Sequence, residues 1–193
     1  MIKQMNEEKI ISDKIRKMGT KIIGRSKEYL LLENKLKEIY NCTNITLKEI
    51  YKGSRDGDGA SSFHDKCDDL IGSLILIKSN DEIIFGGYTK QKWDGDCKFK
   101  FDNDCFLFSF YPLKNYHIKK NKKAIYCNNN LGPFFGSITL GINDHFLANG
   151  GWCCSSFLSN FEEYETDYEL NNGENEFKIE EIEIYQILAS NNK

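Results

Sequence analysis

The sequence predicts a mainly β domain (α+β), built as a two-sheet antiparallel β-sandwich with a few short helices and preceded by an N-terminal helical segment. Beyond residue 44, short apolar runs rich in β-branched and aromatic residues alternate with turns rich in Gly, Asn and Asp. Before that point, apolar residues recur at the four- and three-residue steps of a helix. We therefore divide the chain into a helical segment, residues 1–44, and a domain, residues 45–190.

The N-terminal segment carries one apolar stripe, formed by Ile11, Ile15, Met18, Ile22, Tyr29, Leu32, Leu36 and Ile39. Gly19 and Gly24 interrupt the pattern, which predicts two helices, residues 7–18 and 26–40, rather than one. Two roles for the stripe stay open. It covers a face of its own domain, or it pairs with a second copy as a short coiled coil and makes a homodimer.

The central segment, Tyr51–Cys67, is expected to join the end of a strand to the start of a helix. Its glycines provide backbone angles that other residues resist, and its aspartates can accept hydrogen bonds from the amides of the turn. These residues are Gly53, Asp56, Gly57, Asp58 and Gly59. A helix over about 62–70 follows, with Ser61 or Ser62 as its N-cap and Asp65 completing a capping box.

On this predicted helix, Phe63, Cys67 and Leu70 form a buried stripe, and His64 lies beside it. Asp68 stands one turn further on and can accept a proton from the imidazole in a hydrogen bond. His64 is therefore either a proton-handling or partner-contacting residue, or a histidine at the core boundary held by a hydrogen bond.

Two apolar runs, residues 73–79 and 82–89, predict a β-hairpin whose link is Asn80-Asp81. Gly86 and Gly87 in its second strand indicate a bulge or a close approach of another part of the chain. The last apolar run alternates around Ile182 and Ile184, with a shift near Glu180 that indicates a bulge.

Glu183 falls on the face of the last strand opposite to Ile182 and Ile184. We expect it either to pair with Arg55 beneath the central segment or to face solvent.

The charge and cysteine content exclude several classes of protein. A net charge of -3 does not favour general attraction to nucleic acid or to an anionic membrane. Seven cysteines include no pair separated by two residues, so neither a disulfide framework nor a zinc site is indicated, and no cofactor or metal is expected. Only Cys97 and the pair Cys153 and Cys154 stand in a context polar enough to predict exposure.

Residues 1–9 lack the apolar core of a signal peptide, and the most apolar run, residues 70–77, is too short to span a bilayer. We expect a cytoplasmic protein without membrane insertion, with the nucleus as the alternative location. One basic cluster stands out, formed by Lys119, Lys120, Lys122 and Lys123. With Tyr111, Lys114 and Tyr116 nearby, it is either a solvated loop or a contact surface for nucleic acid.

An ordered set of motifs between about Tyr51 and Ile187 resembles the TLDc domain family. The motifs are SRDG, SSFHDKCD, LILIKS, IFGGYT followed by Trp93, FLFSF, GPFFG and EIEIY. The residues that match the family pattern are Arg55, Asp56, Gly57, Phe63, His64, Gly86, Gly87, Gly136 and Glu183. The sequence departs from the pattern at Asn143, where some members have aspartate, and in residues 150–165, which include Trp152.

The resemblance implies a two-sheet antiparallel sandwich without an established reaction. It also implies a role in protection against oxidative stress and, in several members, binding to the vacuolar proton-pumping ATPase. The first hypothesis for function is therefore a non-catalytic protein-interaction domain. The alternatives are thiol-dependent antioxidant activity involving Cys67 and His64, and nucleic-acid binding through the basic cluster.

Overall fold

The computed structural model describes residues 2–153, 159–162 and 165–191. The first two helices are α1 (Ile2–Met18) and α2 (Ser26–Tyr40), which confirms the predicted pair of helices. The bounds of α2 are those predicted, whereas α1 begins at Ile2 rather than at residue 7. Gly19, at a φ of 68°, follows the end of α1, and Asn41 ends α2 in the left-handed conformation. The break between the helices therefore falls at the glycines.

The central segment and the strands follow in order. The strands are β1 (Asn44–Lys52), β2 (Ser73–Ser79), β3 (Ile84–Thr89), β4 (Phe99–Lys100), β5 (Phe106–Phe110), β6 (Leu113–His117), β7 (Ile125–Tyr126), β8 (Phe134–Phe135), β9 (Leu140–Ile142), β10 (Gly151–Cys153), β11 (Glu176–Phe177) and β12 (Ile179–Ser190). The short helices are α3 (Gly53–Asp56), α4 (Ala60–Cys67), α5 (Phe146–Asn149) and a 3-10 helix, Glu169–Asn171.

Two antiparallel six-stranded sheets form the sandwich, which confirms the predicted fold class. Sheet A has the order β1-β12-β2-β3-β5-β6, and sheet B has the order β11-β10-β9-β8-β7-β4. The inner faces of the sheets enclose one core, to which β12 contributes Ile182 and Ile184. The opposite face of sheet A packs on α1 and α2 and contributes Tyr185 and Ile187 to a second core.

The N-terminal stripe therefore covers its own sheet. Tyr29, Leu32 and Leu36 are almost fully buried against residues such as Leu74 and Leu76 of β2. Because β2 is covered on both faces, its apolar run is continuous rather than alternating. Of the two roles that the sequence leaves open, the described residues favour packing within the chain over a free coiled-coil seam.

The hairpin of β2 and β3 is present, but its connection is longer than the predicted Asn80-Asp81 link. Strand β3 begins only at Ile84, and Glu82 takes the left-handed conformation in the turn. Gly86 and Gly87 pair in regular register with β2 and β5, so of the two alternatives, a bulge or a close approach, the structure confirms the close approach. The bulge predicted in the last strand is confirmed by a register shift between Ile179 and Glu181.

Candidate interaction site

The central turn, which we define as residues 53–59, joins β1 to α4 and packs against Ile182 of β12. After β1 ends at Lys52, residues Gly53–Asp56 form a single helical turn. The Asp56 carboxylate accepts a hydrogen bond of 2.9 Å from the backbone N–H of Lys52, as the turn chemistry predicts. Gly57 has a φ of 101°, which a residue with a Cβ rarely adopts. The turn is thus fixed by its own side chains.

The prediction of special backbone angles is wrong for Gly53 and Gly59, since Gly57 alone of the three has a positive φ. Gly53 is instead required for space, because a Cβ there would lie 2.9 Å from Cγ2 of Ile182. Close packing between the turn and β12, rather than backbone angle, explains this glycine.

Helix α4 begins at Ala60 and ends at Cys67, so the predicted range of 62–70 is shifted, and the predicted serine N-cap is wrong. Gly59 occupies the N-cap position without a side-chain bond, and the Asp144 carboxylate accepts the Ala60 N–H at 2.7 Å. This bond holds the pKa of the Asp144 carboxyl below its usual value. A residue 84 positions away thus caps the helix in place of Ser61 or Ser62.

His64 is a buried histidine at the core boundary with an oxygen acceptor at each ring nitrogen. Its Nδ1 lies 2.6 Å from the Asp68 carboxylate, the partner that the helical spacing predicts. Its Nε2 lies 2.9 Å from the carbonyl oxygen of Asn128. These contacts place His64 between α4 and the loop before β8, as expected for a histidine at the core boundary.

Glu183 is completely buried, and the predicted pair with Arg55 is wrong. Its carboxylate accepts hydrogen bonds from the ammonium of Lys52 at 2.5 Å, the hydroxyl of Thr20 at 2.5 Å and the hydroxyl of Tyr185 at 2.9 Å. The reason is strand register, because Lys52 lies directly opposite Glu183 in the pairing of β1 with β12.

Burial alone would raise the pKa of the Glu183 carboxyl, but the hydrogen bonds, led by the one from Lys52, hold this pKa below its usual value. A second buried carboxylate, Glu181, accepts hydrogen bonds from the backbone N–H of Ser54 at 3.1 Å and from its hydroxyl at 2.5 Å. Glu181 thus attaches the central turn to β12, and Glu183 attaches the end of β1 just before the turn.

Arg55 faces outward on this fixed turn, and 52% of its side-chain surface is exposed. Its guanidinium pairs with the carboxylates of Glu49 and Asp56, at 2.6 Å for the Asp56 contact, and the Lys66 ammonium lies 3.6 Å from Asp56. The hydrogen bond from Arg55 lowers the pKa of Asp56 to about 2. The result is a set of charges on the surface whose positions are fixed by their pairing.

The other residues of the sequence pattern serve packing. A Cβ at Gly86 would lie 2.0 Å from the carbonyl oxygen of Ile75, and one at Gly87 would lie 2.7 Å from Leu107. Gly136 has a φ of 68°, and Phe63 is fully buried. The structure thus brings Arg55, Asp56 and Gly57 together at the central turn and places Phe63, His64, Gly86, Gly87, Gly136 and Glu183 inside or between the layers.

Sequence reasoning missed three residues of the site, namely Lys52, Ser54 and Glu181. Glu181 and Glu183 are two positions apart in β12 and therefore share a face, since the bulge lies before Glu181. That spacing was the available signal for two acidic residues at one point of the sheet. Nothing in the sequence indicated that a lysine and a serine near the end of β1 would meet them.

The model of the TLDc domain family matches residues 18–188. The chain belongs to the TLDc domain family. The match begins at Met18, within the helical segment, and the division into residues 1–44 and 45–190 stays a prediction.

The relatives include proteins named MTOR-associated protein MEAK7 from several animals. The protein from Mus musculus is 29% identical over 87 residues, which cover 44% of this chain and 19% of the relative. The protein from Gallus gallus is 35% identical over 54 residues, or 26% of this chain and 12% of the relative. The protein from Danio rerio is 29% identical over 63 residues, or 33% of this chain and 14% of the relative. The matched segments therefore span less than a fifth of each of these relatives.

The thiols of this TLDc domain are mostly buried. Burial raises the pKa of the Cys67 and Cys105 thiols and raises the pKa of Cys127 to about 11. Cys97 is exposed, as predicted. Cys153 is only 3% exposed, so the predicted exposure of this residue is wrong. Cys154 lies outside the described residues. A thiolate at Cys67 is therefore disfavoured, and His64 is directed to other partners.

The basic cluster of the TLDc domain is partly engaged within the chain. Lys119 donates to the carbonyl oxygen of Ser159 at 2.9 Å, and the Lys123 ammonium lies 4.0 Å from the ring centroid of Phe99. Tyr116, named among the aromatic neighbours, is fully buried, whereas Tyr111 is 64% exposed. Lys120 and Lys122 face solvent. The cluster is thus less open than its sequence suggests.

One group of described residues has the types and spacing that can hold a metal ion, namely Asp94, Asp96 and Cys127. The ammonium of Lys100 lies 2.5 Å from the Asp94 carboxylate, and the raised pKa of Cys127 keeps its thiol protonated near neutral pH. We assign no metal to this group. Among the described helices, none has both the length and the apolar character needed to cross a membrane.

Proposed function

We propose that this TLDc domain is a non-catalytic protein-interaction domain that docks on a larger assembly through the central turn. The observation that carries the proposal is Arg55, an exposed guanidinium held in position by Glu49 and Asp56 on a turn that is anchored to the buried Glu181 through Ser54. The buried Glu183 fixes Lys52, the residue immediately before the turn. Because the charges are already positioned, binding requires little further ordering of side chains.

The proposed partner is the vacuolar proton-pumping ATPase, and the proposed role is protection against oxidative stress. The support is family membership together with the match at Arg55, Asp56 and Gly57, three residues of the family pattern that meet at one surface. The relatives named as mTOR-associated proteins make an assembly containing mTOR a second partner to test. We place the domain in the cytoplasm, with the nucleus as the alternative.

Neither alternative activity gains support from the geometry. Thiol chemistry at Cys67 lacks an exposed thiol, since the residue has no accessible surface. Nucleic-acid binding through the basic cluster is not favoured, because Tyr116 is buried in the core and the Lys119 ammonium donates to a backbone carbonyl oxygen. Protein binding at the central turn is therefore the function that the site supports best.

Affinity capture tests the proposal. The full chain, tagged and shown to be folded by a cooperative thermal transition, is incubated with a mild-detergent extract and washed at two salt concentrations. We expect subunits of the vacuolar ATPase to be retained and to decrease as salt rises, because the proposed contact is charged. Recovery of mTOR without the ATPase would identify the mTOR assembly as the partner instead of the ATPase. Recovery of neither would overturn the proposal.

A further inference from the structure

The outer face of sheet B, turned away from sheet A, carries a continuous row of aromatic side chains. Ring centroids are 4.7 Å apart for Phe99 and Tyr126, 5.7 Å for Tyr126 and Phe134, and 5.4 Å for Phe134 and Trp152. Strand β9 lies between the strands of Phe134 and Trp152 and contributes Gly141, where a Cβ would lie 2.2 Å from Cζ2 of Trp152. The indole lies across the glycine, so the row is unbroken.

The row runs across five strands, from β10 to β4. At the usual spacing between strands it is roughly 19 Å long, the length of about six extended residues. Phe99 is 37% exposed, Tyr126 and Trp152 are partly exposed, and Phe134 between them is 8% exposed. The two buried cores of the domain lie between the sheets and under the N-terminal helices, so these rings belong to neither.

An open cleft of about 670 Å³ lies at the Trp152 end of the row. Asp81 and Glu176, both exposed, line it, and Glu176 is the cross-strand partner of Trp152. Across residues 2–153, 159–162 and 165–191, neither carboxylate has a hydrogen bond or an ion pair. Lys178 also lines the cleft, but its ammonium donates to the carbonyl oxygen of Ala148 at 2.8 Å. This end of the row is therefore acidic.

The opposite end of the row is basic. The ammonium of Lys123 lies 4.0 Å from the centroid of the Phe99 ring. An extended ligand that follows the row therefore meets carboxylates beside an indole at one end and an ammonium at the other. A phosphate backbone would be repelled by Asp81 and Glu176, so nucleic acid does not fit the cleft.

We propose that the outer face of sheet B binds an extended peptide segment of a partner protein, with an arginine of that segment in the cleft. The planar guanidinium stacks on Trp152 and pairs with the Glu176 carboxylate, a combination for which arginine is better suited than lysine. Apolar side chains that follow the arginine contact the row, and an acidic residue about six positions away meets Lys123. Charge complementarity with the two ends of the row fixes the direction of the peptide.

This inference goes beyond the proposed function, because sheet B and not the central turn carries it. The test uses a fluorescently labelled peptide, acetyl-Arg-Gly-Leu-Gly-Leu-Gly-Glu-amide, and a second peptide in which citrulline, a neutral analogue of similar shape, replaces arginine. Fluorescence anisotropy of each peptide is measured against the full chain and its variants.

We expect the arginine peptide to bind the wild-type chain and the citrulline peptide to bind about tenfold more weakly. Trp152→Ala should weaken binding of the arginine peptide by about tenfold, and Glu176→Gln by about fivefold. Two control variants should leave the affinity unchanged. Tyr111→Ala removes an exposed aromatic side chain from the turn between β5 and β6, and Glu7→Gln removes an exposed carboxylate from α1.

Three results would overturn the proposal, namely no binding at millimolar peptide, equal binding of the two peptides, or an unchanged affinity in Trp152→Ala. Glu176→Gln keeps the indole in place, so its effect decides the question if Trp152→Ala does not fold. Arg55→Ala, which removes the exposed guanidinium of the central turn, should bind this peptide like the wild type, and this separates failure here from failure of the proposed function.

Discussion

The ammonium of Lys52 lies 2.5 Å from the carboxylate of Glu183, a side chain with no surface exposed to solvent. The two residues face each other across the pairing of β1 with β12, immediately before the chain enters the central turn. The pair therefore ties the end of the edge strand β1, where the central turn begins, to β12. The hydroxyl of Thr20 and the N–H of Lys21 complete the shell around the carboxylate and bring the N-terminal segment to the same point.

Replacing Glu183 by Ala should lower the free energy of unfolding by about 3–5 kcal/mol, because the buried ammonium of Lys52 loses its counter-charge. Urea denaturation of the wild type and the variant measures the difference. Glu180→Ala, on the exposed side of the same strand, is the matched control and should change the value by less than about 1 kcal/mol.

The double replacement Lys52→Met with Glu183→Leu should recover part of the loss, since an apolar pair leaves no unpaired charge. A loss below about 1 kcal/mol in Glu183→Ala would contradict the structural role of the pair.

The contribution of Glu183 to stability should depend on pH in the acid range. Its pKa in the folded chain is below the ordinary value of 4.5, so the folded state favours the ionised carboxylate. The stabilisation is therefore fully present above the unfolded pKa and is lost as the pH falls through the folded pKa. The difference in unfolding free energy between wild type and Glu183→Gln should be constant from pH 6 to 8 and should decrease below about pH 4.5. If the difference in unfolding free energy between the wild type and Glu183→Gln grew on acidification, the lowered pKa of Glu183 in the folded chain would be contradicted.

Gly86→Ala should destabilise the domain by about 2–3 kcal/mol or more, because a Cβ would lie 2.0 Å from the Ile75 carbonyl oxygen and backbone atoms would have to move. Gly24→Ala is the control, since its Cβ would meet nothing within 4 Å. That variant should change the unfolding free energy by less than about 1 kcal/mol, in either direction. Thermal or urea unfolding measures both, and equal effects would contradict the close packing of β3.

The thiols should differ in reactivity according to burial. In the native chain at pH 8, iodoacetamide should modify Cys97 about tenfold or more faster than Cys67, Cys105 and Cys127, whose pKa values are raised. Mass spectrometry of peptides resolves the rate at each site. Peroxide consumption should be unchanged in Cys67→Ser. Rapid native labelling of Cys67 would revive the thiol-dependent alternative.

The sequence predicted the parts of the fold that depend on local pattern. The apolar stripe of α2 gave its limits, Ser26–Tyr40, because a helix carries its own periodicity. The glycine pair in β3 indicated close packing, because glycine in a strand has a cost that such packing explains. The predicted length of the β2–β3 connection was wrong. Asn80-Asp81 resembles a two-residue turn, but the strand pairing ends earlier, at Lys78 and Ile84.

The contacts that build the site could not be predicted, because they depend on which distant residues meet. Glu183 and Arg55 have opposite charges, but the register of β1 and β12 places Lys52 and not Arg55 opposite the carboxylate. Likewise, Ser61 and Ser62 have the chemistry of an N-cap, yet Asp144 reaches Ala60 from the loop after β9. Local propensity was outweighed in both cases by tertiary structure.

Capture of the vacuolar ATPase by matched arginine variants tests the central claim most directly. Arg55→Ala removes the exposed guanidinium of the central turn, whereas Arg16→Ala removes an exposed guanidinium that pairs with Asp13 on its own helix. With equal amounts of folded bait, we predict that Arg16→Ala recovers as much ATPase as the wild type and that Arg55→Ala recovers about tenfold less. Equal recovery by Arg55→Ala and the wild type would contradict docking through the central turn.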